Sequence, residues 1–162
     1  MPELLPETLF AQWFWPFYPP DVRDELETFR QRDANPAHNP ALYAHMAQAA
    51  ELFAQNAAVL LSLPDPLSLT PEGLFVLSRK LDRAQRDRLL QASSPEDPSN
   101  PFTNFVLHGT MFVGEVIVRA ERGRWSLRRP AWESIVLRQV PGQETTQRAG
   151  AIRPFQWLLK HL

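Results

Sequence analysis

The residues of this chain best suited to chemistry are a histidine and a carboxylate, His108 and Glu115, which lie seven positions apart in an apolar segment. On a helical wheel both fall in one narrow polar stripe with Asn104, Arg119 and Arg122. A histidine and a carboxylate can act as base and acid on a substrate bound between them. Seven residues of helix separate them by about 10 Å along the axis, so they cannot touch directly. The stripe is therefore one hypothesis for an enzyme site or a small-ligand site.

Glu115 also has a structural interpretation, which we prefer. The surrounding segment, Phe102 to Val118, is apolar enough that a helix there is expected to be buried on most of its circumference. An unpaired carboxylate inside a core costs several kcal/mol, so Glu115 needs a partner. Arg119, four residues on, is the nearest candidate, and a sheet arginine or a backbone group is the alternative. Glu115 would then fasten this helix within the hydrophobic interior.

Three Xaa-Pro pairs predict where the helices begin. Each pair places a side chain that can cap a helix before a proline suited to the first helical position: Asn39–Pro40, Thr70–Pro71 and Asn100–Pro101. The spacing of the apolar residues predicts three main helices, over about 40–62, 71–91 and 101–121.

Other signals complete the helical part. A shorter helix is predicted over about 21–31, and a polar, proline-rich connector over 91–100. The charged face from Arg79 to Arg88 is expected to be solvated. The third main helix is expected to stop at Gly123, after the cations that favour a helix C-terminus.

Beyond Gly123 the apolar period changes from that of a helix to that of a strand. Trp125 and Leu127 alternate with polar residues, which places their side chains on one face of a small antiparallel sheet. The predicted elements are a strand from 124, a strand over 132–140 after a break at Pro130–Ala131–Trp132, a turn at Pro141–Gly142, a short strand over 147–152 and a helix over 155–162. The predicted fold class is α+β, with three main helices beside a small C-terminal antiparallel sheet and a short terminal helix.

Length and charge favour one domain. A chain of 162 residues is enough for one core, and we divide it into an aromatic arm with a short helix (1–38), a helical part (39–121) and the sheet with its terminal helix (122–162). Residues 1–100 carry 14 acidic and 8 basic side chains, and residues 101–162 carry 4 and 9. We interpret this asymmetry as two halves that face one another.

An aromatic cluster marks the arm. Its six members lie within nine positions of the chain: Phe10, Trp13, Phe14, Trp15, Phe17 and Tyr18. Burying one such side chain stabilises a protein by roughly 1.5–3 kcal/mol, so the cluster is expected to pack somewhere. It packs either on its own domain or as the interface to a partner or a second copy.

Several classes of protein are disfavoured. There is no cysteine, the histidines have no metal-ligand spacing, and the glycine-rich motifs of phosphate loops and serine hydrolases do not occur. We therefore predict no cofactor and no metal. No apolar run is long enough for a membrane span and no basic leader precedes an apolar segment, which predicts a cytoplasmic protein without membrane contact.

Arginines in the C-terminal part raise the possibility of a nucleic-acid surface. They accompany two tryptophans, Trp125 and Trp132, on which bases could stack. The arginines are Arg119, Arg122, Arg124, Arg128, Arg129 and Arg138. The strand alternation puts Trp125 on the face opposite Arg124 and Arg128, so we expect Trp125 in the core and treat nucleic-acid binding as disfavoured.

Three short motifs carry a resemblance. The helix segment Phe112–Val116 contains a Gly-Glu pair and is followed by Gly123–Trp125, and Leu69–Leu74 opens an earlier helix. In this order, over about residues 65–162, the chain resembles small uncharacterised bacterial α+β domains, some of them similar to immunity or stress-associated proteins. The resemblance implies a cytoplasmic, non-catalytic domain and supplies no catalytic residues.

The functional hypothesis is a non-catalytic protein-interaction module with an unknown protein partner or a second copy of itself. Its partner surface would involve the aromatic cluster or the polar stripe. The alternatives are an enzyme or small-ligand binder that uses His108 and Glu115, and nucleic-acid binding through the C-terminal arginines.

Overall fold

A computed structural model describes residues 4–31, 40–138 and 150–162. Helices dominate these ranges, and a three-stranded antiparallel sheet lies near the C-terminus, which confirms the α+β prediction. The helices are α1 (Pro6–Trp13), α2 (Leu26–Gln31), α3 (Pro40–Leu60), α4 (Pro71–Lys80), α5 (Arg83–Gln91), α6 (Pro101–Glu121) and α7 (Pro154–His161). The strands are β1 (Arg124–Ser126), β2 (Ile135–Leu137) and β3 (Ala151–Ile152), and 3-10 turns occur at Trp15–Phe17, Pro20–Val22 and Ala131–Glu133.

Helix α6 is the centre of the fold. It contacts α3, α4, α5 and α7 as well as β1 and β2, so its surface is covered on several sides, as its apolar sequence predicts. The fully buried large side chains on it are Phe102, Val106, Phe112, Val113 and Val116. The helix that carries the polar stripe is therefore the element against which most of the others pack.

Both ends of α6 have local causes. At the start, the Asn100 side chain accepts a hydrogen bond of 2.6 Å from the Thr103 amide, as the Asn-Pro pair predicts. At the end, α6 stops at Glu121, just before Gly123 as predicted, and the residue with left-handed backbone is Arg122 (φ 49°). Gly123 is small because a Cβ there would lie 3.0 Å from the Leu137 carbonyl oxygen of β2.

The predicted helix over 71–91 is two helices. Leu81 has extended backbone, and Asp82 begins α5 by accepting a hydrogen bond of 2.7 Å from the Gln85 amide. A capping aspartate thus ends the continuous helix that the apolar spacing indicates. The face expected to be solvated is also partly covered, since Arg86 is buried and donates to Asp87 at 3.0 Å.

The sheet is smaller than predicted. Its strand order is β1-β2-β3, and Trp125 lies opposite Val136. The predicted strand over 132–140 begins only at Ile135, because residues Ala131–Glu133 form a 3-10 turn. The turn at Pro141–Gly142, the first residues of the third predicted strand and the predicted cap at Asn39 lie outside the described residues.

The aromatic arm packs on its own chain. Trp13, Phe14 and Tyr18 are buried, and the ring centroids of Trp13 and Phe102 are 5.2 Å apart. Phe14 meets Phe155 of α7 edge to face at 5.0 Å. The helix predicted over 21–31 is shorter than expected, since only Leu26–Gln31 is α-helical. Of the two alternatives for the cluster, packing on its own domain is the one observed for these three side chains.

Two glycines within α6 provide a test of this packing. A Cβ on Gly114 would lie 1.8 Å from the Trp125 ring, whereas a Cβ on Gly109 would first meet the end of the Leu158 side chain at 2.7 Å. Alanine gains about 1 kcal/mol of helix propensity at either site, and overpacking costs about 1–3 kcal/mol or more. We expect Gly114→Ala to lower the free energy of unfolding by about 2 kcal/mol and Gly109→Ala to change it by under about 1 kcal/mol. Urea denaturation measures both; equal stabilities of the two variants would contradict the described position of Trp125.

Candidate functional site

The polar stripe divides into separate parts in the structure. Asn104 belongs to the start of α6, where its side-chain amide donates to the Asn100 carbonyl at 2.9 Å. His108 is exposed and has no hydrogen bond or ion pair to any residue in the described ranges. Arg122 is also exposed and lies just past the helix end. Only Glu115 and Arg119 contact one another.

Glu115 joins α6 to the sheet. One carboxylate oxygen accepts a hydrogen bond of 2.9 Å from Arg119 Nε, and the other accepts one of 3.3 Å from the indole N–H of Trp125 in β1. The expectation of a partner at Arg119 is confirmed, but the link to the sheet is an indole and not an arginine or a backbone group. The Glu115 side chain keeps 12% exposure and lines a groove, so it is largely buried, as predicted, but lies at the edge of the interior.

The groove beside Glu115 lies between α3, the end of α6 and β1. It has a volume of about 420 Å³ and is lined mainly by apolar surface from Tyr43, Ala44, Ala47, Val118, Gly123 and Trp125, with Glu115 and Arg124 as its charged members. Its shape follows from small side chains on α3 and from Gly123, where α6 turns into β1. The arrangement suits an inserted side chain of a bound segment, because a groove open to solvent does not enclose a whole ligand.

Tyr43 closes part of the edge of β1. Its hydroxyl donates a hydrogen bond of 2.8 Å to the Trp125 carbonyl oxygen. β1 is an edge strand of the sheet, and unpaired edge groups are the usual site at which another strand adds. Because Tyr43 occupies this carbonyl, a segment bound in the groove is held by its side chains and not by strand pairing at Trp125.

The C-terminal arginines differ in their surroundings. Arg138 pairs with Glu121, and Arg119 pairs with Glu115 and, at 3.5 Å, with Glu51. Arg122, Arg124 and Arg129 are exposed and have no acidic partner within the described ranges. The arginines of the nucleic-acid hypothesis are therefore not one uniform surface.

The two tryptophans of that hypothesis are engaged within the chain. Trp125 is 3% exposed, which confirms its predicted place in the core. The Trp132 indole is half-buried and donates a hydrogen bond of 3.2 Å to the Tyr18 hydroxyl. Trp125 therefore presents no free face on which a base could stack.

A second carboxylate, which sequence reasoning missed, lies at the centre of a buried cluster. Glu133 is 7% exposed; one of its oxygens accepts hydrogen bonds from the Tyr18 hydroxyl and, at 2.8 Å, from Arg30 Nε. The Arg30 guanidinium lies 4.4 Å from the centroid of the Phe10 ring. The cluster thus fastens the aromatic arm and α2 to the turn that precedes β2. The available signal was an acidic residue beside a packing tryptophan, but its partners lie more than 100 positions away.

The electrostatics of this cluster fix its protonation. Burial raises the pKa of Tyr18 well above its usual range, and the negative charge of Glu133 raises it further. Burial, the largest single effect, would lower the pKa of Arg30, but the charge of Glu133 and the contacts with Tyr18 together outweigh it, and the pKa is raised. The phenol therefore stays neutral and the guanidinium stays charged at ordinary pH. Such a group of donors around one carboxylate is a structural fastening and is poorly suited to exchange protons with a substrate.

Comparison of the chain with protein-family models, with curated proteins and with solved structures found no match. The resemblance to small bacterial α+β domains therefore stays a prediction. Within the described ranges, no helix combines the length and the apolar character that crossing a membrane requires. The same ranges contain no group of three or more histidine and acidic side chains placed to hold a metal ion.

Two substitutions test what Glu115 contributes. Glu115→Gln keeps an acceptor for the Trp125 indole and loses an ion pair to a half-exposed arginine, so we expect a change of under about 0.5 kcal/mol. Glu115→Leu removes the acceptor as well and leaves a largely buried N–H unpaired, which costs about 1–3 kcal/mol. Thermal unfolding measures both. If glutamine destabilises as much as leucine, the charge of Glu115 and not its contact with the Trp125 indole accounts for its contribution to stability.

The pH dependence of stability tests the Glu133 cluster. The pKa of Tyr18 is raised in the folded protein above the usual tyrosine value of about 10, so its contribution to stability is fully present below about pH 10 and is lost as the pH rises above it. Above that pH we expect wild type to lose about 1.4 kcal/mol per pH unit more than Tyr18→Phe, which has no phenol to ionise.

The measurement is urea unfolding of both proteins at a series of alkaline pH values. The chain has one other tyrosine, and Tyr43→Phe measured in the same series separates its part of the alkaline slope from that of Tyr18. Parallel curves for wild type and Tyr18→Phe would rule out a buried, protonated Tyr18.

Proposed function

We propose that the protein is a non-catalytic interaction module that binds a partner protein at the groove between α3, α6 and β1. The observation that carries the proposal is the groove itself, an open, mainly apolar surface with a fixed carboxylate on one wall. Sites of this kind seat one or a few side chains of a partner segment, with polar groups that orient it.

The hydrogen bonds that Glu115 makes favour a binding role over a catalytic one. Both of its oxygens already accept hydrogen bonds, from Arg119 and from Trp125. An acid or base must come within hydrogen-bond reach of the proton that it transfers, and His108 is about 10 Å further along the helix. The enzyme hypothesis gains no support from this arrangement, and Glu115 is better described as a residue that positions β1 at the groove.

The groove is also a better partner surface than the aromatic arm. Trp13, Phe14 and Tyr18 are covered by other parts of the chain, whereas an interface anchor must be accessible in the free protein. A cytoplasmic location and a bacterial origin belong to this proposal through the resemblance of residues 65–162. A second copy of the chain is the alternative partner, and light scattering of the purified protein would reveal it as a doubled mass.

A variant that fills the groove tests the proposal. Ala44 is exposed and lines the groove, so Ala44→Trp should occupy it without disturbing the core. Peptides selected on the wild-type protein from a displayed random library should bind Ala44→Trp at least about tenfold more weakly, a difference of about 1.4 kcal/mol.

The matched control is Ala84→Trp, since Ala84 is an exposed alanine on α5 and not a lining residue. The control should bind the selected peptides as the wild type does, and all three proteins should melt at similar temperatures. The proposal fails if the selection enriches no peptide or if the enriched peptides bind Ala44→Trp undiminished.

A further inference from the structure

Two arginines lie near the end of the groove: Arg124 lines it, and Arg122 adjoins the lining residue Gly123 in the chain. Arg122 and Arg124 stand on either side of Gly123, both are exposed, and neither has an acidic partner among the residues that the structure describes. Their backbones are held in place, Arg122 by the left-handed turn that ends α6 and Arg124 by its pairing with Leu137 of β2. The groove therefore has positive charge near one end, carried by residues whose backbone is held in place.

The helix end accounts for only one of these cations. A cation near a helix C-terminus is stabilised by the helix dipole, which is a sufficient reason for Arg119 and Arg122. Arg124 belongs to β1 and lines the groove, so the dipole does not account for it. The nearby acidic side chains, Glu51 and Glu115, are both engaged by Arg119. The rim thus offers positive charge for which the described residues supply no acidic partner.

The floor of the groove specifies the other half of the partner. Aliphatic surface comes from Ala44, Ala47 and Val118. The Trp125 carbonyl of β1 already accepts a hydrogen bond from the Tyr43 hydroxyl. An aliphatic side chain would fit such a floor. The backbone of the bound segment would not pair with β1 as an added strand. A nucleic-acid base would need an open ring to stack on, and Trp125, the tryptophan that lines the groove, is 3% exposed.

We infer that the groove binds an acidic peptide segment, with an aliphatic side chain on Ala44, Ala47 and Val118 and a carboxylate on Arg124 and Arg122. The inference rests on the proposed function and adds the chemistry of the partner to it. Carboxylate–arginine pairs at the rim of an interface set the preference among partners and speed association, and they weaken as salt is added.

The experiment uses fluorescence anisotropy with three short labelled peptides, in which one leucine stands among glutamates, among glutamines or among lysines. We expect the glutamate peptide to bind wild type at least about tenfold more tightly than the lysine peptide, and more weakly at higher salt. Arg124→Glu and Arg122→Glu should each remove most of this preference. Arg129→Glu is the matched control, because Arg129 is also exposed and without an acidic partner among the described residues but neither lines the groove nor adjoins a residue that does, and it should bind as wild type does.

The outcomes separate this inference from the proposed function. If peptides bind in a manner that depends on Ala44 but glutamate, glutamine and lysine versions bind alike, the inference is overturned and the proposed function stands. If no peptide, acidic or selected, depends on Ala44, both fall. An oligonucleotide that binds through Arg122 and Arg124 when the glutamate peptide does not would also overturn the inference, in favour of nucleic acid.

Discussion

The close approach of Trp125 to Gly114 determines how the sheet sits on the central helix. There is no room for even a methyl group between them, since a Cβ on Gly114 would lie 1.8 Å from the indole ring. With the ring at this place, the indole N–H donates to Glu115, and the backbone carbonyl of Trp125 accepts from Tyr43. β1 then passes the end of α6 at a distance that leaves the groove open. The groove is thus a consequence of helix–sheet packing, because interiors are packed densely enough that the position of one large ring fixes those of its neighbours.

The buried carboxylate of Glu133 fixes the position of the aromatic arm, as Trp125 fixes that of the sheet. Taking a charge out of water is costly, and Glu133 is stable in the interior because Arg30 and Tyr18 both donate to it. Removing any one member leaves the others with unmet polar groups, so the cluster holds the arm in one place more firmly than apolar contact alone. It also reverses the expected charge pairing. The acidic N-terminal part was expected to face the basic C-terminal part, as Glu51 does with Arg119, but the buried pair joins an N-terminal arginine to a C-terminal glutamate.

The features of the fold that could be predicted from the sequence are those whose causes lie within a few residues of them. The start of α6 was predictable because Asn100 caps it within three residues, and so was its buried circumference, because the apolar residues are themselves the signal. The break at Asp82 was also local and was missed, since apolar spacing outweighed a single capping aspartate in the interpretation. The Glu133 cluster and the groove arise from contacts between distant segments, which a single sequence does not reveal.

The two carboxylates show why residue type and helix position were not enough to locate a site. Glu115, in the most apolar segment, was expected inside the core, yet it reaches the edge of the helix packing, where α3 presents alanines and β1 begins at a glycine. Glu133, in a short segment rich in charge, is the one that is buried. Both carboxylates accept hydrogen bonds from two donors, so the difference in their burial follows from the packing around them and not from their residue type or sequence position. Arg124 is the cation to which the same comparison applies. No acidic side chain among the described residues pairs with it, and it lines a groove in which a bound partner would supply one.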